Sequence, residues 1–256
     1  MGIDSTASNS AEPWLAGHVG SRVRTELRDR LLIITLDHYP VNSFDSIAYQ
    51  ELYEIFTGLS IKNDLVAVLL RANNRCFSAG QDRRDAPPLE SDIAFYLRSA
   101  ANALVAATLC PVPLVVAVKS AAIGAGLILA TCADVLVLDS EATLSLPERE
   151  FGVIAGFAHL SPWIGGRATS ATLTGEPIDV QTFVRGGAIV VSSTEVDLEA
   201  ERIAQSIAQN HQILSQSIKS GRLESRKSVA RAYRTEIEQT ITLGLMDFSV
   251  PMSPEK

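Results

Sequence analysis

Lys119 to Glu148, KSAAIGAGLILATCADVLVLDSEATLSLPE, is the stretch of sequence that decides the fold. Its pattern predicts a turn of small residues at 123–126 directly after a buried strand, then a short apolar helix over 127–133 and a second strand over 134–138. A glycine-rich turn that opens a helix exposes backbone N–H groups at the positive end of the helix dipole, where an oxyanion or a phosphate binds. The same turn is also typical of a helix packed closely on a sheet, and this stretch alone leaves both interpretations open.

Three other pieces of sequence accompany this stretch. Residues 75–82, RCFSAGQD, form a second turn of small residues after the apolar run at 65–70, which is typical of a strand covered on both faces. Residues 39–44 read YPVNSF, and residues 145–148 read SLPE. Two strands that each end in a turn of small residues favour a binding site built from backbone groups.

The spacing of apolar residues predicts the main helices. A helix is predicted over 45–60, because apolar residues recur there at three- and four-residue steps, namely Ile47, Leu52, Ile55, Phe56 and Leu59. Helices are likewise predicted over 92–109 and over most of 197–244. Their alternation with strands favours an α/β layered core.

Taken in order, these pieces resemble the crotonase (enoyl-CoA hydratase/isomerase) superfamily, whose members carry a P-x-x-N-A-L segment, an F-S/C-A-G-x-D loop, a G-x-x-x-G-x-G turn and an F-G-x-P-E segment. The resemblance covers residues 22–191. It implies an α/β, crotonase-like fold, with a spiral core of ββα units and a C-terminal helical subdomain. The chain is then expected to consist of a flexible lead-in at 1–21, a core with the acyl-CoA site at 22–194 and a helical subdomain at 195–256.

The resemblance also implies the residues of the site. The backbone N–H groups of Gln81 and Ala125 would bind the thioester oxygen of an acyl-CoA, and such preorganised donors contribute several kcal/mol where negative charge develops. Ala125 stands where many family members have glycine, and its N–H donates without strain if its φ is negative. Glu148 would be the catalytic acid/base. The positions assigned to the substrate or its CoA are Val41, Asn42, Ala79, Gly80, Asp82, Gly124, Gly126, Ile128 and Gly156.

The acid/base groups distinguish between the reactions of the family. Its hydratases use two glutamates, and these two positions hold Ile128 and Glu148 here. Because isoleucine cannot transfer a proton, the resemblance favours the family's one-glutamate reaction, double-bond isomerisation, in which the base takes a proton from C2 and returns it at C4. Burial would raise the pKa of Glu148, and Ile128 would form part of the pocket wall.

Two alternatives stay open at this point. One is an enoyl-CoA hydratase or dehydratase in which another group replaces the missing glutamate. The other is a non-catalytic acyl-CoA-binding or accessory protein. A protein that keeps the oxyanion turn but has lost its catalytic activity has the same sequence pattern. Without the resemblance, Glu148 in the run Glu148-Arg149-Glu150 is more typical of a solvated surface residue.

Composition narrows the class of protein. A net charge of −7 argues against nucleic-acid binding, and no apolar run reaches the roughly 20 residues that span a bilayer. The N-terminus lacks the pattern of a secretory signal, and the three cysteines lack the spacing of metal ligands. We therefore expect a cytoplasmic enzyme with no metal and no cofactor other than the coenzyme A of its substrate. The resemblance adds assembly as a homotrimer or hexamer.

Other polar residues near these positions have structural interpretations. Asp82 is expected to brace its loop, Asp134 to hold a junction between helix and strand, and His159 to be buried and hydrogen-bonded. Arg83 and Arg84 are either solvated or close to the phosphates of CoA.

Overall fold

The computed structural model of the chain describes residues 20–59, 64–87, 90–210, 218–244 and 246. The bounds of the strands are β1 (Val23–Arg28), β2 (Leu31–Leu36), β3 (Ala67–Ala72), β4 (Leu114–Val118), β5 (Ala121–Ile123), β6 (Val135–Asp139), β7 (Thr143–Ser145) and β8 (Ile189–Val191). The larger sheet has the order β1-β2-β3-β4-β6-β8, and its pairs are parallel except β1 with β2. The smaller sheet pairs β5 with β7 in parallel.

The helices are α1 (Ser46–Gly58), α2 (Glu90–Thr108), α3 (Ala125–Thr131), α4 (Phe157–Ile164), α5 (Arg167–Thr174), α6 (Val180–Val184), α7 (Val196–Ala208) and α8 (Leu223–Leu243). The side chain of Asp45 accepts a hydrogen bond of 2.8 Å from the backbone N–H of Ala48 and so caps α1. The helices predicted over 45–60 and 92–109 are confirmed as α1 and α2, whose ends lie within two residues of the predicted ones. None of the described helices is long and apolar enough to cross a membrane.

Both faces of the larger sheet are covered, as the long apolar runs of its strands predict. Successive residues of β2 point to opposite faces, so that Leu32 and Ile34 lie in one buried cluster while Leu31 and Ile33 lie in another. The second cluster includes the buried face of α7. The first includes buried residues of α1, α2, α3, α4 and α8.

The structure describes parts of the C-terminal and N-terminal regions. The region predicted as helical over 197–244 contains α7 and α8, with residues 211–217 outside the described part of the chain. Of the lead-in predicted at 1–21, only residues 20 and 21 are described. The division of the chain into domains stays a prediction.

The smaller sheet is not predicted by the sequence pattern. The pattern places the turn at 123–126 directly after β4, whereas the structure inserts β5 between them and pairs it with β7. Each of these strands has three residues, which is too short for a recognisable alternation of apolar and polar side chains. Their pairing has a consequence for the site, because Gly124 directly follows β5 and Glu148 comes three residues after β7.

Candidate active site

Two loops run side by side at the centre of the site. Ser78 forms a parallel bridge with Ala122, in which Ser78 N donates to Ala121 O at 3.1 Å and Ile123 N donates to Ser78 O at 3.0 Å. The glycine turn after β5 therefore lies against the loop that follows Ser78. Gly126 keeps them close, because a Cβ at this position would lie 2.7 Å from the Cβ of Ser78.

The backbone N–H of Gln81 points away from Phe44, its partner in an isolated parallel bridge. Phe44 N donates to Gly80 O at 2.8 Å, and Asp82 N donates to Phe44 O at 2.8 Å. In a parallel pair of this kind the intervening residue points its own N–H and carbonyl to the other side. Gln81 is that residue, and its N–H meets no backbone acceptor among the described residues.

The second candidate donor is the N–H of Ala125, the first residue of α3. The first N–H groups of a helix have no acceptor within the helix, and within the described chain this one meets no other backbone acceptor. A Cβ placed on Gly80 would lie 3.5 Å from Ala125 N and 2.6 Å from Ile123 O, so the two donor loops are in contact. Ala125 is not among the non-glycine residues with positive φ, and alanine is therefore accepted here without backbone strain.

Glu148 reaches the same turn from the opposite side. It lies in a short 3-10 helix over Pro147–Phe151. Gly124, with φ of +53°, approaches it so closely that a Cβ on Gly124 would lie 2.5 Å from Glu148 Oε1. Gly124 N also donates to Ser145 O at 2.9 Å, which fixes the turn against β7. The structure thus brings together the turn and the carboxyl group that the sequence places 24 residues apart.

The environment of Glu148 favours its protonated form. The side chain is half-buried, but its Oε2 is fully buried and has no hydrogen-bond partner among the described residues. This burial raises the pKa of Glu148 to about 8, against a smaller opposing effect of its own backbone N–H. A carboxyl group with a pKa near neutrality is suited both to accept and to return a proton.

Ile128, which the resemblance places at the position of the first glutamate of hydratases, lies in an apolar wall. Ile128 is buried, and a Cβ on Gly156 would lie 3.3 Å from Ile128 Cγ1 and 2.7 Å from Leu146 Cδ1. Ile128, Leu146 and Gly156 therefore form one packed surface beside the turn. No proton-transferring group is present on this surface.

The 39–44 segment braces the Gln81 loop. Val41 accepts a hydrogen bond of 2.9 Å at its carbonyl from the N–H of Ala79. Asn42 is buried, and its amide is hydrogen-bonded to the carbonyls of Asn73 and Cys76 at 2.6 and 2.9 Å and to the N–H of His38 at 2.8 Å. The structure gives both residues a bracing role, and their contact with CoA stays a prediction.

Asp82 braces its own loop, as expected. Its carboxylate accepts hydrogen bonds from the backbone N–H of Arg84 at 3.0 Å and from the side chain of Arg84 at 2.9 and 2.7 Å. These bonds, opposed in part by burial, lower the pKa of Asp82 to about 2. Arg84 is therefore paired, although its side chain remains exposed. Arg83 lies over the ring of Phe151, with its guanidinium carbon 4.4 Å from the ring centroid.

A second buried carboxyl group lies behind the site and was not singled out by the sequence. Glu236 of α8 accepts hydrogen bonds from the backbone N–H groups of Gly156 at 2.8 Å and Ala158 at 2.7 Å. Both of its oxygens thus cap the first turn of α4, where an anion is favoured. No local signal marks this cap, because Glu236 is 78 residues away along the chain from Ala158.

His159 has the structural role predicted for it. It is buried, its Nε2 lies 2.9 Å from the hydroxyl of Thr108, and its ring packs edge-on against Tyr233 with centroids 4.7 Å apart. Burial lowers the pKa of His159 to about 3, with a smaller contribution from the charge of Arg226. A buried histidine with such a low pKa is poorly suited to accept a proton near neutral pH.

Comparison with known proteins agrees with this architecture. Residues 26–247 match the family described as Enoyl-CoA hydratase/isomerase. The structure superimposes on an enoyl-CoA hydratase/isomerase from Mycobacterium paratuberculosis with a TM-score of 0.79 at 22% identity, covering 89% of this chain and 95% of the other. The chain therefore belongs to the enoyl-CoA hydratase/isomerase (crotonase) superfamily, and the predicted fold class is confirmed.

Curated relatives differ in the reactions they are named for. The chain is 32% identical over 183 residues to the (7aS)-7a-methyl-1,5-dioxo-2,3,5,6,7,7a-hexahydro-1H-indene-carboxyl-CoA hydrolase of Mycobacterium tuberculosis, covering 70% of this chain and 74% of the relative. It is 29% identical over 212 residues to a carnitinyl-CoA dehydratase of Escherichia coli, covering 80% of this chain and 81% of the relative. The family is thus established, whereas these relatives do not point to one reaction.

Proposed function

We propose that this crotonase-family protein is an acyl-CoA enzyme that removes and returns a proton beside the thioester carbonyl, with Glu148 as its single acid/base group. The N–H groups of Gln81 and Ala125 hold the thioester oxygen and stabilise the negative charge that develops on it when the enolate forms. The reaction that this arrangement serves best is the shift of a carbon–carbon double bond from the 3- to the 2-position of an enoyl-CoA.

The proposal rests on the combination of one buried carboxyl group, that of Glu148, with an apolar surface at Ile128. Glu148 Oε2 is buried and unpartnered among the described residues, and the buried Ile128 takes the position that the resemblance assigns to the first of the two glutamates of hydratases. Isomerisation needs one group that takes a proton from C2 and returns it at C4. Hydration needs a second group for the proton of water, and an apolar wall at Ile128 disfavours a bound water.

The test follows two conversions on one sample of enzyme. A series of 3-enoyl-CoA and 2-enoyl-CoA esters of increasing chain length is supplied, and formation of 2-enoyl-CoA and of 3-hydroxyacyl-CoA is measured separately. We expect isomerisation without hydration. Rapid hydration would contradict the proposal and would require a second proton-transfer group, whereas binding without either reaction would favour an accessory, non-catalytic role.

The second candidate reaction is hydrolysis, favoured by the relative named as a hydrolase of a dioxo-indene-carboxyl-CoA. In this reaction water adds to a keto carbon that is bonded to the α-carbon, and the bond between these two carbons then breaks. Its electron pair forms a thioester enolate, which the same N–H pair would stabilise and which then takes up a proton at the α-carbon. The products of this reaction carry a new carboxylate, and mass spectrometry of a ring-containing keto-acyl-CoA after incubation distinguishes it from isomerisation. Assembly as a homotrimer or hexamer stays a prediction for either reaction.

Changing Gly124 to alanine is expected to disable the site without a large loss of fold. The new Cβ would lie 2.5 Å from Glu148 Oε1, and φ of +53° disfavours a side chain here. Because a misplacement of about 1 Å in a catalytic group costs about 100-fold in rate, we expect kcat to fall by about that factor.

Gly166→Ala is the matched control for this variant. Gly166 has φ of −59° and nothing within 4 Å of a Cβ added to it. The kcat of the Gly166→Ala variant should equal that of the wild type. Equal activity of Gly124→Ala and wild type would show that Glu148 does not need its present position.

The pKa of Glu148 sets the expected pH dependence. The carboxylate is the form that removes the first proton, and its fraction rises with pH up to a pKa of about 8. We therefore expect kcat/KM for a 3-enoyl-CoA to rise by about tenfold per pH unit below that value and to level off above it. A profile that is flat between pH 6 and pH 9 would remove Glu148 as the base that starts the reaction.

A further inference from the structure

A cavity of about 510 Å³ lies between α1 and α2. Its lining includes Tyr49 and Tyr53 of α1, Tyr96 and Ser99 of α2, and Asp85 of the segment between β3 and α2. Tyr49 and Tyr96 are almost fully buried, and their rings meet edge-on with centroids 6.4 Å apart. The two tyrosines thus form the deep end of the cavity.

Three buried polar atoms at this end or close to it lack hydrogen-bond partners among the described residues. The hydroxyls of Tyr49 and Tyr96 and the Nε2 of Gln81 are buried, and within the described chain no partner satisfies any of them. Buried polar groups in folded proteins are nearly always paired, and an exception calls for an explanation such as a bound ligand. Three unpaired groups on three different elements indicate a binding site more strongly than one such group would.

These groups lie close to the reacting centre. The backbone N–H of Gln81 is one of the two proposed donors to the thioester oxygen, so its side chain extends from the same loop. The Gln81 amide is near enough to the Tyr96 hydroxyl to lower the pKa of Tyr96, against the larger effect of burial that raises it, although the two groups do not form a hydrogen bond of normal geometry. The charge of Glu148 likewise reaches Tyr49. The Gln81 loop therefore connects the polar end of the cavity with one of the two proposed oxyanion donors.

The chemistry of the unpaired groups defines the ligand that would satisfy them. An amide NH2 is a donor only, and a phenol donates one hydrogen bond, so the set favours an acceptor. A carboxylate is disfavoured, because Asp85 lines the cavity and its negative charge acts on both tyrosines. A neutral carbonyl oxygen accepts hydrogen bonds without this repulsion.

We infer that Tyr49, Tyr96 and the side chain of Gln81 form a specificity site that selects acyl-CoA substrates with a keto oxygen on the acyl group over plain alkyl chains. The inference rests on the proposed function, because that proposal places the thioester at the N–H groups of Gln81 and Ala125. A site built to hydrogen-bond a substrate oxygen discriminates strongly against an analogue without it, since its own buried groups are then left unpaired.

The test measures binding of saturated esters, which cannot be isomerised. Hexanoyl-CoA is compared with hexanoyl-CoA esters that carry one keto group beyond the β-carbon and with the corresponding terminal carboxylate. We expect the best keto ester to bind the wild type at least about tenfold more tightly than hexanoyl-CoA and than the carboxylate. Equal affinities, or tighter binding of the plain or the charged ester, would overturn the inference.

A double variant, Tyr49→Phe with Tyr96→Phe, assigns the preference to these hydroxyls. It should weaken binding of the keto ester and leave hexanoyl-CoA unchanged or tighter, so that the preference falls to about twofold or less. Tyr53→Phe is the matched control, because Tyr53 lines the same cavity but is 40% exposed. Equal weakening of both esters by the double variant would contradict the assignment. Removal of unpaired hydroxyls should not lower the melting temperature, which checks that the variant is folded.

The outcome is separable from that of the proposed function. A keto preference without isomerisation of any enoyl-CoA would leave this specificity site standing and remove the proposed reaction. Isomerisation of plain 3-enoyl-CoA esters with no keto preference would support the proposed reaction and remove the specificity site. Glu148→Gln should keep the preference in binding, because Glu148 acts on the α-carbon and makes no hydrogen bond to the tyrosines.

Discussion

Replacing Glu148 by glutamine is expected to lower kcat for a 3-enoyl-CoA by at least about 1000-fold, since general acid–base catalysis contributes on the order of 100- to 10,000-fold and no second group shares the proton transfer. Glutamine has nearly the size of glutamate, so the turn at Gly124 keeps its packing. The two N–H donors are backbone groups and are unchanged. We therefore expect the affinity for a saturated acyl-CoA to stay within about twofold of the wild type, which separates a loss of chemistry from a loss of binding.

Glu150→Gln is the matched control for this experiment. Glu150 lies in the same short helix but is exposed, and its variant should keep the full rate. A Glu148→Gln variant that retained more than about a tenth of the wild-type kcat would show that another group carries the proton. The hydratase alternative, with its unidentified second group, would then become the better account.

Replacing Arg226 by leucine is expected to cause the largest loss of stability. Arg226 of α8 is buried, and its guanidinium donates to the carbonyls of Thr108, Cys132 and Ala133 and to Asp134 Oδ1, at 2.6 to 3.1 Å. It thereby ties α8 to the ends of α2 and α3 and to the start of β6. Removing one partner of a buried ion pair costs about 3–5 kcal/mol. In Arg226→Leu three backbone carbonyls also lose this donor, and Asp134 keeps Lys219 and Arg222 as partners.

Asp134 is the buried charge that loses Arg226 as a partner in this variant. Its contacts confirm the structural role predicted for it at the junction of helix and strand. Burial acts to raise the pKa of Asp134, but the charges of Lys219 and Arg226 outweigh burial and hold the pKa below its usual value. The free energy of unfolding is measured with denaturant for Arg226→Leu and for Arg231→Leu, an exposed position on the same helix. A loss below about 1 kcal/mol for Arg226→Leu, as for a surface ion pair, would contradict the argument.

The sequence predicted the parts of the site that depend on local backbone geometry. Gly80 and Gly124 have φ of +85° and +53°, values that glycine adopts without penalty. Glycine at these two positions therefore marks the two turns in the sequence itself. Glu148 could be placed near them only through the resemblance, because its contact with Gly124 depends on the pairing of β5 with β7.

The groups that the sequence did not reveal are those whose partners lie far along the chain. Glu236 has the sequence context of an ordinary charged residue on a helix, and its role appears only when α8 packs on the start of α4. Tyr49 and Tyr96 follow the apolar pattern of their helices and are indistinguishable from core residues by periodicity. That their hydroxyls lack partners is a property of the packed structure alone.

The most direct test of the central claim is hydrogen exchange at the α-carbon. A saturated acyl-CoA is incubated with the enzyme in D2O, and deuterium at C2 is measured by NMR for the wild type and for Glu148→Gln. The account predicts incorporation at C2 with the wild type and none above the uncatalysed rate with the variant. Absence of exchange with the wild type, or equal exchange with both proteins, would contradict the claim that Glu148 and the N–H groups of Gln81 and Ala125 together form and hold a thioester enolate.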